Sequence, residues 1–271
     1  MNQKTKYILA FPSVALRNLS KLLKNLLNFT EVNSAKQHVE KMGFHQGLPV
    51  IDLADVAPNL NEEIKSFTFL DGTSRVIDIA LLKALAKRFS GCEYLEIGSW
   101  RGESILNVAP HCRQCTSLSL SKDEMRKFNF SEAAIGLDGF LINSIPNLKL
   151  IAHNSLTFNF DSLQQKFDLI FVDGDHSHDA VLSDTRNVFK LLRDERSIIV
   201  WHDCGNFYED QRWEVIAGIL DGATQEQRKH IYRISNTLCG IYILGDFNTT
   251  HRSPPHTPSY VFDVSINHRS I

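Results

Sequence analysis

Five short polar clusters in this 271-residue sequence each follow an apolar run, and each carries residue types that can do chemistry. Glu96, Gly98, Ser99, Trp100 and Gly102 come after the first run, and Ser119 and Ser121 after the second. Asn154 and Ser155 follow the third, Asp173, Asp175 and His176 the fourth, and His202 and Asp203 the fifth. An imidazole with an ordinary pKa near 6.5 can take a proton from a hydroxyl at neutral pH. His176, three residues beyond Asp173, is the leading candidate for that work, with His178 and His202 as rivals. Carboxylates grouped with histidine can also hold one or two metal ions. Asp173, Asp175, His202 and Asp203 would be the set for a metal-dependent hydrolase. The glycines do a different job: Gly98 permits a turn that a Cβ would block, and Gly102 lets a following helix pack closely on a sheet. Free N–H groups at such a helix start suit an anionic or strongly polar ligand. The spacing E-x-G-x-x-x-G matches neither the dinucleotide fingerprint nor the phosphate-binding loop.

These clusters need a scaffold that gathers them at one edge, and the apolar runs supply it. Tyr94 to Ile97, Cys115 to Leu120, Leu148 to Ala152, Phe167 to Val172 and Ser197 to Trp201 read as strands. The fourth is almost continuously apolar, as a strand buried on both faces must be. Ile231 to Ile234 and Gly240 to Leu244 close the set as a pair, one of them antiparallel. Helical spacing separates them, from a cap at Thr73 or Ser74 to about Phe89, from Gly102 to Val108, from Asp179 to Leu192, and from Glu214 to Leu220. Alternation of strand and helix predicts an α/β fold, a doubly wound, mostly parallel, seven-stranded Rossmann-like sheet. Ligands of such sheets bind beyond the carboxyl ends of the strands, where the polar residues fall.

Outside the alternating region, residues 1–72 read as an N-terminal helical extension and connecting segment, residues 73–246 as the ligand-binding domain, and residues 247–271 as an irregular tail rich in Pro and Ser. Val14, Leu16, Leu19, Leu22, Leu23, Leu26 and Leu27 give the extension an apolar face opposite Arg17, Lys21 and Lys24. Such an arm packs on its own domain or on a second subunit, so a homodimer is one expectation; a membrane surface or a partner helix is the alternative.

Composition narrows the function class. With 29 basic and 31 acidic side chains and a net charge of −2, nothing points to nucleic acid. No apolar run approaches the ~18 residues needed to span a bilayer, and no secretory leader is visible at the N-terminus. Five cysteines, an odd number, argue for reduced thiols and a cytoplasmic setting. Cys112 and Cys115 follow His111 as C-x-x-C, but a zinc site would need a second ligand pair, so they read as structural.

The segments Y-L-E-I-G-S-W-R-G-E-S, F-D-L-I-F-V-D-G-D-H-S-H-D-A-V-L-S-D and I-I-V-W-H-D-C together resemble the class I S-adenosylmethionine (SAM)-dependent methyltransferases. They are most similar to small-molecule O-methyltransferases of the catechol and macrolide-sugar types, over roughly residues 75–245. The resemblance implies a transferase that moves a methyl group from SAM to a small-molecule acceptor, with a hydroxyl oxygen as its target. Glu96, Gly98, Ser99, Trp100 and Gly102 would then surround the methionine and ribose portion. Asn154 and Ser155 would read the adenine, and Asp173 would belong to both the cofactor contacts and the catalytic set with His176. Ser119 stands where the family carries an acidic ribose ligand, and a hydroxyl cannot make that bidentate contact. Asp173, His202 and Asp203 occupy the family's positions for a divalent metal. A histidine there suits Mn²⁺, Fe²⁺ or Zn²⁺ better than Mg²⁺. The alternative is that His202 and Asp203 only line the pocket. A SAM-binding protein without turnover is a further reading, raised by Ser119. Phe207, Tyr208 and Trp213 are candidates to stack on an acceptor ring.

Overall fold

The computed structural model describes residue 19 and residues 29–142, 145–251 and 257–269. Most of the apolar arm therefore lies outside the described residues; within them, residues 29–41 are helical (α1). The chain then runs through β1 (Val50–Ile51), α2 (Leu53–Val56), α3 (Val76–Ala86), β2 (Cys92–Ile97), α4 (Glu103–Val108) and β3 (Cys112–Ser119). It continues with α5 (Lys122–Lys127), α6 (Glu132–Leu137), β4 (Leu148–Ala152), β5 (Leu169–Val172), α7 (His178–Phe189) and β6 (Ile198–Trp201). The last elements are α8 (Trp213–Gly222), α9 (Gln225–Arg228), β7 (Ile231–Ile234), β8 (Gly240–Tyr242) and β9 (Thr249–Thr250).

All strands join one sheet in the order β4-β3-β2-β5-β6-β8-β7-β1-β9. The seven expected strands are all there, with β8 antiparallel to both neighbours. Among the described residues the count is nine rather than seven. Val50–Ile51 pairs parallel with β7, and Thr249–Thr250 pairs antiparallel with Val50–Ile51. Two residues are too few to show any alternation, so neither strand announces itself in the sequence.

The sheet is filled on both faces because β5 and β6 are apolar at every position and β2 at all but Glu93 and Glu96. Along β2, Tyr94 packs with Leu81, Leu82, Leu85, Ile105 and Val108 of α3 and α4. Its neighbours Leu95 and Ile97 join Val181, Val188, Ile216 and Ile219 of α7 and α8 on the other face. The same alternation divides Phe171 from Ile170 on β5, and Val200 from Trp201 on β6. All five cysteines are free thiols and four are buried, consistent with packing roles. Among the described residues no helix is long and apolar enough to cross a membrane.

The order in which strands are added reverses at β2. From it the chain steps outward to β3 and β4, then returns to β5 on the other side. The crevice at that switch point opens beyond Gly98 and Asp173, the residues just after β2 and β5, both of which line it.

Candidate functional site

Gly98 brings two strand ends into direct backbone contact. It has φ +88°, and a Cβ there would lie 2.1 Å from the carbonyl oxygen of Asp173. The next residues are held in place by hydroxyls. The Ser99 N–H donates to Ser119 Oγ at 3.0 Å, and Ser117 Oγ donates to Ser99 Oγ at 2.9 Å. Ser99 Oγ and Ser119 Oγ are themselves 3.0 Å apart. Ser119 thus pins the glycine loop from behind. Trp100 is drawn into the left-handed region at φ +40°, and its buried indole N–H has no hydrogen-bond partner.

Glu96 is fully buried. Tyr94 Oη donates to one of its oxygens at 2.6 Å and Ser104 Oγ to the other at 2.6 Å. Burial outweighs these bonds and lifts its pKa to about 7. Glu96, Ser99, Gly102 and Ser119 are absent from the lining of the cleft, whereas Gly98, Trp100, Asn154, Ser155, Asp173, His176, His202 and Asp203 line it. The acid and three of its companions therefore stand behind the wall that the others form.

The loop also carries a staple that sequence reasoning missed. Arg101 and Glu103 are each 2% exposed and form an ion pair, Nε to Oε1, at 3.4 Å. Arg101 donates to the carbonyls of Asp71 and Leu70 at 3.0 and 3.1 Å. Glu103 accepts from the hydroxyls of Thr68 and Thr73, and Asn107 brackets Lys65 through its backbone N–H and carbonyl. Residues 65–73, which line the cleft, are thereby tied to α4. The visible signal was charge in the middle of a segment that otherwise reads as buried. Thr73 and Ser74, expected to cap α3, are used for the site instead, and the helix starts at Val76. Ser74 Oγ donates to Asp173 Oδ2 at 3.0 Å.

Beyond β5 and β6 lies the acid and histidine cluster. His176 Nε2 is 2.9 Å from Asp203 Oδ2, a base held by a carboxylate, with the imidazole partly open to the cleft. Asp203 adopts φ +54°, a conformation that Asp tolerates better than most side chains. Burial pulls its carboxyl up, but the hydrogen bonds from His176 and His202 more than reverse this and hold it far below the usual range. His202 is 6% exposed. Its Nε2 is 3.1 Å from Asp78 Oδ2, and its Nδ1 is 3.2 Å from Asp173 Oδ1 and 3.4 Å from Asp203 Oδ1. Burial would depress its pKa, yet the charge of Asp173 and the bonds to three carboxylates raise it well above the ordinary value. Asp78, fully buried on α3, also accepts from the N–H groups of Arg75 and Leu238. It gave no sign in the sequence beyond being a polar residue near a helix start.

These contacts change the expected metal set. A ligand nitrogen must offer a lone pair, and both nitrogens of His202 face carboxylates instead. The atoms that do come within 4.8 Å of one another belong to Asp173, His176 and Asp203. Every carboxylate oxygen in that group already has a donor: Ser74 and His202 on Asp173, His176 and His202 on Asp203. The donor set does not fit a resident divalent cation. Asp175, the other residue of the hydrolase set, accepts from the Ser177 N–H at the start of α7. All three candidate histidines line the cleft, but His178 spends both ring nitrogens on Asp179 and Asp221 and His202 both of its own on carboxylates, whereas His176 is held by one carboxylate through Nε2.

The cleft has two characters. On the β3 and β4 side of the switch point the cleft is lined by Leu118, Leu120, Met125 and Leu156 together with Asn154 and Ser155, a mix of apolar and hydrogen-bonding groups that suits a heteroaromatic ring. On the other side, Tyr208, Asn206, Arg212 and Asn236 surround the His176 end. Tyr208 lies under the Arg75 guanidinium at 5.9 Å. Phe207 lines the same end, whereas Trp213 is engaged by Lys36 at 5.5 Å and takes no part.

A family described as a methyltransferase domain matches residues 95–204, the stretch from β2 to the end of β6 that carries every polar cluster named above. No curated protein matches the chain. Among solved structures, an O-methyltransferase of tomaymycin synthesis from Streptomyces achromogenes, in complex with SAM, shares 15% identity. It covers 71% of this chain and 89% of its own, with a TM-score of 0.43. A methyltransferase from Podospora anserina bound to SAH is 18% identical, over 66% of this chain and 83% of its own, with a TM-score of 0.44. An O-methyltransferase from Bacillus cereus in complex with SAH is 15% identical, over 76% and 88%, with a TM-score of 0.40. A likeness at this level carries no functional weight by itself.

Proposed function

We propose that this chain is a class I SAM-dependent methyltransferase and that it transfers a methyl group to a hydroxyl of a small molecule held beside His176. The cofactor reading draws support from the apolar residues that line the cleft beside Asn154 and Ser155, and from the glycine loop whose Trp100 lines the same cleft. SAM brings a methyl group already activated on a sulfonium, so the protein's work is alignment and removal of one proton.

In this reading Gly98, Trp100, Asn154, Ser155 and Asp173 touch the cofactor. Glu96, Ser99, Gly102 and Ser119 keep the loop in shape from behind. The ribose is left without the acidic partner that the family carries at the end of the second strand. His176 donates Nε2–H to Asp203, which fixes the tautomer and leaves Nδ1 to accept the acceptor's hydroxyl proton. Asp203 stabilises the imidazolium that forms. Asp173 stands beside the point of transfer, held by Ser74 and His202. Tyr208 and Phe207 flank the space left for the acceptor.

The observation that carries the proposal is the His176–Asp203 pair opening onto the same cleft as the glycine loop. Calorimetry with SAM and SAH is the first test, followed by a methylation screen over hydroxyl-bearing phenols, sugars and polyols. Binding of both nucleosides, with turnover that falls by at least about a hundredfold in His176→Ala, is the expected result. No heat with either nucleoside, or full turnover in His176→Ala, would sink it.

A further inference from the structure

We infer that the imidazolium of His202 occupies the place of a divalent cation between Asp173 and Asp203, and that the site works without a metal. The geometry is that of a counter-ion. Nδ1 of His202 points between the two carboxylates, 3.2 Å from Asp173 Oδ1 and 3.4 Å from Asp203 Oδ1. From behind, Asp78 meets Nε2 at 3.1 Å. A neutral imidazole has one N–H and one lone pair, so one of these faces would set a lone pair against carboxylate oxygens. With the three carboxylates charged, a ring that donates from both nitrogens satisfies both faces.

Charge counting leads the same way. Asp78, Asp173 and Asp203 bring three carboxylates to one mostly enclosed volume, from α3 and from the ends of β5 and β6. Around them stand His202, His176 and Arg212, whose Nη1 is 3.6 Å from Asp203 Oδ2. Buried carboxylates need cations or hydrogen bonds to remain charged, and the chain supplies these from its own side chains. The ring cannot drift to make way for an ion. His202 is 6% exposed, its N–H donates to the Val172 carbonyl at 3.0 Å, and its ring meets Phe171 edge-on at 6.0 Å between centroids. His202 is therefore a positioning residue: it fixes Asp203 for His176, and Asp173 for the cleft.

The test is metal binding, which is independent of whether the chain methylates anything. Mn²⁺ is titrated into the purified full chain and followed by electron paramagnetic resonance, with thermal melting recorded in Mn²⁺ and in chelator. The wild type is expected to bind no Mn²⁺ saturably up to millimolar concentration, and its melting temperature to be the same in both buffers. His202→Asn removes the fixed cation and leaves the carboxylates facing one another. That variant should melt lower and recover in Mn²⁺, with one ion bound per chain. One saturable Mn²⁺ on the wild type at micromolar affinity would overturn the inference. So would an Asn variant that folds, binds no Mn²⁺ and is not rescued. Should that variant not fold, His202→Gln replaces it, and the wild-type titration decides independently. Failure of SAM to bind, by contrast, would strike the proposed function and leave this inference standing.

Discussion

A Cβ on Gly98 would lie 2.1 Å from the carbonyl oxygen of Asp173, so the first and fourth strand ends of the predicted set meet backbone to backbone. The obstacle is main chain and cannot swing aside as a side chain would. Gly98→Ala adds that clash to the strain of holding a Cβ at φ +88°. The variant should lose at least about 2 kcal/mol in urea denaturation and bind SAM at least about tenfold more weakly by calorimetry. Unchanged stability would mean that the two strand ends are not in contact.

Glu96 predicts a pH dependence of stability. Its ordinary pKa of 4.5 is lifted by burial to about 7 in the folded chain. A carboxyl whose folded value is raised contributes stability that is complete below pH 4.5 and is lost as pH climbs through about 7. Across that window the loss is on the order of 3 kcal/mol. Glu96→Gln keeps the hydroxyl partners and cannot ionise, so its melting temperature should hold where that of the wild type declines. Parallel curves for the two proteins between pH 5 and about 8 would contradict the burial of this carboxyl.

The Arg101–Glu103 pair should be costly to break. Each residue is 2% exposed, so removing one partner leaves a buried charge without its counterpart. Arg101→Met is expected to cost about 3–5 kcal/mol. Limited proteolysis should locate the damage, with new cleavage between residues 65 and 73 in the variant and none in the wild type.

Helix α1 is fastened by a carboxylate shared between two histidines. Asp221 lies 2.9 Å from His38 Nε2 and 2.9 Å from His178 Nε2. Burial works to lower the pKa of His178, but Asp221 and Asp179 raise it above 6.5; burial works to raise that of Asp221, but the histidines lower it below 3.8. A raised histidine gives its stability below pH 6.5 and loses it as pH climbs through the folded value. A lowered carboxyl gives its share above pH 3.8 and loses it as pH falls through the folded value. The His178–Asp221 contact is thus fullest between pH 3.8 and 6.5. Hydrogen exchange of α7, corrected for intrinsic rate, should quicken above that window in the wild type. In Asp221→Asn it should be fast throughout.

Legibility in the sequence followed the physics of each element. Leu148–Ala152 and Ile231–Ile234 have the bounds that their apolar runs announced, β2, β5, β6 and β8 differ by one or two residues at one end, and β3 starts three residues earlier and ends one earlier than expected. Val50–Ile51 and Thr249–Thr250 were invisible because pairing with a neighbour, and no pattern of their own, makes them strands. The polar clusters do gather at one edge, since strand ends dictate that. Where each side chain then turns is a tertiary matter. Ser119 faces Ser99 rather than the cleft, and His202 faces Asp78 across 124 positions of chain. Neither spacing nor residue type carries that information. Arg101 and Asp78 were overlooked for the complementary reason, because a charged residue in a loop or near a helix start has an unremarkable solvated reading.

The two margins of the sheet are unequally protected against association with another chain. At one margin, β9 offers only two exposed threonines, too short a ladder to template a foreign strand. At the other, β4 is five residues long, with Leu150 58% exposed and Lys149 as its one charge. A long apolar margin invites strand addition, and a lysine on it discourages that. Aggregation of this protein on heating would therefore start from β4, and a second charge at Leu150 is the change that would most directly delay it.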